Sequence, residues 1–134
     1  MGSAFTLSMC AKCVEELQVY QKALVAAAEV SAIIHRPSFQ RDHRLRNQLS
    51  GSSQSVAALI SEGFEQSTDR HFAEYFCRSR GSSSETRTHL VAARVGRHIT
   101  EAERVRIADL YEEIAKMLSG LIAHLRADDR KQRR

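Results

Sequence analysis

Arginine is the side chain in this sequence best suited to recognise a partner, and it clusters in two stretches. Residues 35–46 carry Arg36, Arg41, Arg44 and Arg46, and residues 94–106 carry Arg94, Arg97, Arg104 and Arg106. Only Asp42, Glu101 and Glu103 oppose these eight, while His35, His43 and His98 can add positive charge at lower pH. A guanidinium is a planar fork of donors that pairs bidentately with phosphate, so this density predicts RNA contacts that weaken as salt rises. The plainer reading of the same residues is a solvated, charged end of a domain with no ligand.

Other chemistry is harder to assemble. Cys10-x-x-Cys13 has half of a zinc-ribbon spacing, but no second pair follows to complete four ligands, so no metal site is expected within one chain. Cys77 reads as a small buried residue. A di-iron carboxylate bundle needs Glu-x-x-His on facing helices, and no glutamate here is followed by histidine three residues later. Glu62 and Glu85 sit among small residues and are expected to be partly buried, hydrogen-bonded to serine or arginine rather than catalytic. His89 and His124 read as helix-face residues. There is no nucleophile elbow, phosphate loop or dinucleotide fingerprint, so no enzyme and no cofactor is expected.

The elements that would position the arginines are helices. A single proline, Pro37, and six glycines in 134 residues leave room for long uninterrupted helices. Four segments have helical periodicity. The first, about 14–35, ends where Arg36 precedes Pro37, because the proline ring disfavours helical backbone before it. It carries two adjacent apolar stripes, Leu17, Tyr20, Leu24, Ala27 and Ile34 beside Val19, Ala23, Ala26, Val30 and Ile33. That arc exceeds one intramolecular contact and predicts self-association.

The second segment, about 42–62, has Leu45, Leu49, Ser52, Val56 and Leu59, with Gly63 as its expected stop. Ser67 or Thr68 can cap the third, whose stripe is Phe72, Phe76, Ser79, Ser83, Thr86 and Leu90. Its small centre around Gly81 to Ser84 is expected to face the serines of 50–55 and to let the two backbones approach closely. The third segment ends near Gly96. Ile99, Thr100 and Glu103 then supply a hydrophobic residue, an N-cap and a capping-box acid. The fourth has Ile107, Tyr111, Ile114, Leu118, Leu121 and Leu125 at steps of four and three.

Short connections make successive helices antiparallel neighbours, so the fold expected is an all-α, up-down-up-down four-helix bundle. Residues 1–13 form an N-terminal extension, 14–126 the bundle and 127–134 a basic flexible tail. The topology puts the first and third connections, and hence both arginine stretches, at one end. The other end collects Glu15, Glu16, Glu62, Glu65 and Asp69, partly offset by Arg70, His71 and the tail arginines.

An odd count of three cysteines argues against a disulfide-stapled secreted fold and for a reducing cytoplasm. The first thirteen residues lack the pattern of a secretory signal. The most apolar stretch, 19–34, is broken by Lys22 and Glu29 and is too short for a membrane span.

Several segments together resemble the bacterial four-helix bundle family first known from open reading frames inside 23S rRNA intervening sequences. They are Glu16-Leu17-x-Val19-Tyr20-Gln21-Lys22-Ala23, Gln48-Leu49, and Ile60-Ser61-Glu62-Gly63-Phe64. Gly81-Ser82-Ser83-x-Glu85-x-x-Thr88-x-Leu90 and Glu113-Ile114-x-x-Met117-Leu118-Ser119-Gly120-Leu121-Ile122 extend the match over about residues 15–126. This chain departs from the family at Ser50-Gly51, where an arginine pair is usual, and at Ala57 and Leu59, where proline and asparagine are. No basic patch is therefore expected there. The resemblance implies a homo-oligomeric ring, commonly a pentamer, and a role in RNA binding. It also implies kinship with accessory proteins of retroelement reverse transcriptases, so a nucleoprotein or protein-scaffolding partner stands beside RNA as an expectation.

Overall fold

In the computed structural model, which describes residues 13–134, a single 3-10 turn, Val14–Glu16, precedes the first long helix. Val14 and Leu17 are buried there and tie the turn to the core. Helix α1 spans Gln18–Ile34. It stops where expected: Arg36 is extended (φ −64°, ψ 146°) ahead of Pro37, and a 3-10 segment, Pro37–Arg41, carries the chain across. Helix α2, His43–Phe64, is capped by Asp42, which accepts from the Leu45 amide at 3.3 Å. Helix α3, Asp69–Val95, is capped by Thr68 and helix α4, Glu101–Gln132, by a reciprocal Thr100/Glu103 capping box.

Each helix packs on its neighbours in sequence, and α1 closes against α4, so the bundle is up-down-up-down with α1 diagonal to α3. α3 packs extensively on α2 and α4, whereas α1 is held by fewer residues. Only the second apolar stripe of α1, Val19, Ala23, Ala26, Val30 and Ile33, is fully in the core, together with Ile34. Leu24 and Val25 remain 47% and 58% exposed, so α1 has more apolar arc than the bundle covers.

Several local expectations change. Gly63 does not end α2 through a left-handed turn. It lies inside the last turn, buried, where a Cβ would stand 3.0 Å from Tyr75 Cβ. Its role is to let α2 and α3 approach. Gly81, expected at such a contact, has open space around it, and Ser84 is exposed. In the α4 seam Ile122, rather than Leu121, is fully buried, because a straight helix drifts from a seven-residue repeat. α4 also continues past Arg126 to Gln132 where a flexible tail is expected. His124–Asp128 (3.2 Å) and Asp129–Arg133 (3.3 Å) support those turns at i,i+4 spacing.

The hydroxyl side chains between α2 and α3 are buried and mutually satisfied. Ser79 donates to the Val56 carbonyl (2.8 Å), and Thr86 Oγ1 lies 2.8 Å from both Ser52 Oγ and the Ser82 carbonyl. Tyr111, fully buried on α4, reaches toward Ser53, yet its hydroxyl has no well-formed hydrogen bond. Burial pushes the phenol well above its usual range. Tyr111→Phe is therefore expected to leave stability unchanged or raise it by about 1 kcal/mol, read by urea unfolding. A clear loss would mean the hydroxyl is bonded.

Candidate nucleic-acid interface

The fold brings both arginine stretches to one end, but it divides them into two populations. Arg36 forms a bidentate pair with Glu103 and also donates to the His98 carbonyl at 3.2 Å. Arg94 (3.8 Å) and Arg104 share Glu101, and Arg106 reaches Glu29 of α1 at 2.9 Å. These four are held by carboxylates. Arg41, Arg44, Arg46 and Arg97 have no ion pair among the described residues, and all but the half-buried Arg46 are exposed. The expected eight-arginine surface thus splits into four paired guanidiniums and four without a carboxylate partner among the described residues.

Arg97 has φ 63°, the one positive φ outside glycine among the described residues. Gly96, which chemistry would assign to that left-handed position, keeps φ −75° and caps α3 instead. The following amide, His98 N, closes the helix end on the Ala93 carbonyl at 2.9 Å. An arginine where glycine would be more comfortable is a local strain that packing around it must hold.

His98 provides that packing. Its ring is only 9% exposed and stacks on the fully buried Phe39 with centroids 4.2 Å apart. Nδ1 lies 3.0 Å from Ser38 Oγ and Nε2 3.2 Å from Asp42 Oδ2. Asp42 therefore caps α2 and anchors the other connection at once. Between the two connections runs a shallow groove lined by Pro37, Ser38, Arg41, Asp42, Gly96 and His98. The sequence marked His98 as reserve charge; its function in the fold is structural. Phe39, an aromatic residue two positions after the proline in a polar connection, was the available signal and carried no prediction.

Glu103 is the electrostatic hinge of this end. The Arg36 guanidinium, followed by the Thr100 amide, holds its carboxyl down at about 2, against an ordinary 4.5. Because the folded value is depressed, the stability it contributes is fully present above pH 4.5 and is lost as pH falls toward 2. Glu103→Gln is expected to flatten that part of the acid-unfolding curve followed by circular dichroism. An unchanged acid limb would show that the Arg36 pair does not hold the end together.

Other candidates resolve differently. Glu62 and Glu85, expected to be partly buried, are exposed, because the small residues around them lie on the outer face of the α2–α3 seam. Cys77 is half-buried rather than buried, with Arg126 Nη2 3.3 Å from its sulfur. Cys13 is exposed, and Cys10 lies outside the described residues. Among the described residues no three His, Cys, Asp or Glu side chains converge as metal ligands do. No helix among them is long and apolar enough to cross a membrane.

A family profile described as 23S rRNA-intervening sequence protein matches residues 15–120. Among solved structures the chain is similar to a protein with unknown function from the S23 ribosomal protein family of Bacteroides thetaiotaomicron. That structure is 21% identical, with a TM-score of 0.71, and the alignment covers 78% of this chain and 97% of that one. No curated protein matches.

Proposed function

The chain belongs to the 23S rRNA-intervening sequence protein family, and on that premise we propose that it is a non-enzymatic, self-associating bundle that binds RNA phosphates through Arg41, Arg44, Arg46 and Arg97. The observation that carries this reading is the sorting of the arginines at one end. Four are paired with Glu29, Glu101 and Glu103, and the other four have no carboxylate partner among the described residues, with Arg41 lining the groove between the connections. Free guanidiniums on a braced surface suit contacts to phosphate oxygens, which position a nucleic acid without reading its sequence. Filter binding to a structured RNA across a salt series tests it. A steep, linear fall of log affinity with log salt is expected, and a flat response would leave the end as a site for an acidic protein.

Self-association supports the same function, since repeating a weak phosphate site around a ring sums its affinity. Its basis is apolar surface on two different faces. Leu24 and Val25 of α1 are exposed, and Val25 lines a shallow groove with Leu110 of α4. Val91 and Val95, one turn apart on α3, are exposed at 47% and 68%, with Val105 of α4 beyond them. Two unlike patches suit head-to-tail contacts that close into a ring, the pentamer being the arrangement its family resemblance implies. Light scattering is expected to give a mass several times that of one chain, reduced by Val25→Glu. The mass of a single chain for the unaltered protein would sink the ring.

A further inference from the structure

The end of the bundle opposite the free arginines holds a second basic groove. One wall is the start of α3, with Arg70 and Glu74; the other is the last two turns of α4, with Arg126, Asp129, Arg130 and Arg133. This wall exists because α4 continues in helical form to Gln132. Arg126, Arg130 and Arg133 are spaced four and three residues apart, so they lie on one face of α4 within about 10 Å of axial rise.

The ion pairs in the groove orient guanidiniums without using them up. Arg70 meets Glu74 through Nε (3.8 Å), and Arg133 meets Asp129 through Nε (3.3 Å). Both terminal nitrogens of each therefore remain free to donate. Arg126 gives one terminal nitrogen to the Cys77 sulfur at 3.3 Å, and Arg130 is exposed with no hydrogen bond or ion pair among the described residues. The four arginines outnumber the two carboxylates in the lining. A paired carboxylate that grips Nε leaves open the outer edge with which a guanidinium forks onto a tetrahedral oxyanion.

We propose that this groove is a phosphate-binding site, separate from the free-arginine end, in which Arg70 and Arg130 hold a phosphate group from opposite walls. The inference does not depend on the RNA reading of the other end. A phosphate could come from a small polyphosphate compound or from the backbone of a nucleic-acid strand, and the two sources are separable.

The test titrates inorganic triphosphate, and in parallel a short oligouridylate, into the full chain and into a chain carrying Arg41→Ala, Arg44→Ala, Arg46→Ala and Arg97→Ala. That second background removes the other end, so failure there cannot be mistaken for failure here. In it, the further change Arg70→Ala with Arg130→Ala is expected to weaken binding about tenfold or more. Both side chains lie at the surface, so the thermal midpoint should not move. Arg87→Ala with Lys116→Ala removes equal charge elsewhere and should leave binding intact. Weakening for triphosphate alone assigns a small phosphate ligand; weakening that includes the oligouridylate assigns a strand. If neither probe responds to the Arg70/Arg130 change, or if the Arg87/Lys116 control weakens binding equally, the proposal is overturned.

Discussion

Replacing Arg41, Arg44, Arg46 and Arg97 together by alanine is expected to weaken RNA binding about a hundredfold at low salt and to remove most of its salt dependence. Each phosphate neutralised contributes about 0.7 to 0.9 to the slope of log affinity against log salt, so four contacts account for a slope near −3. These four have no ion pair among the described residues, so their removal breaks no internal pair there, and circular dichroism should show an unchanged helix content. Replacing Arg94, Arg104 and Arg106 is the matching experiment. Glu101 and Glu29 offset two of these three charges, and Arg94 and Arg104 meet Glu101 through Nε, so a smaller loss of RNA affinity than in the free set is expected, with part of the effect appearing as stability instead. Equal losses from both sets would mean that net charge, not the arrangement of free guanidiniums, governs binding. An unchanged affinity in the quadruple variant would remove this end as the contact surface.

The largest effect on stability should come from Phe39→Ala, at about 3–5 kcal/mol in urea unfolding. Phe39 is fully buried although it sits in a five-residue 3-10 connection, and its ring carries the stacked imidazole of His98. Truncation would empty a core site and release the pin between the two connections. A loss that large is a substantial share of the ~5–15 kcal/mol that holds a domain folded. His98→Ala should cost less, since it removes the Asp42 and Ser38 contacts and leaves the Phe39 core site filled. A Phe39→Ala loss below about 1 kcal/mol would show that the connection is not anchored through this ring.

Much of the bundle was legible because helix signals are local. Pro37 after Arg36, Thr100 with Glu103, Thr68, and the four-and-three spacing from Ile107 to Leu118 each act within a turn or two of the chain, and each does so in the fold. The misplacements are of another kind. Gly96 ends α3 as its residue type suggests, but the left-handed position falls on Arg97, and Gly63 serves a close approach to Tyr75 rather than a helix stop. Neither outcome is encoded in the neighbouring residues. The extension of α4 was hidden because a charged run looks the same in water whether or not i,i+4 pairs hold it helical.

The sequence by itself determined that the chain is four amphipathic helices, that α1 is apolar over more arc than a bundle needs, and that eight arginines meet at one end. Periodicity, caps and short connections suffice for that. Only the tertiary structure decided which arginines are free, because the carboxylates that neutralise the others come from across the bundle. Glu103 reaches Arg36 over the connections, and Glu29 of α1 reaches Arg106 of α4. Pairing of that range depends on how the helices pack, and no spacing along the chain reveals it.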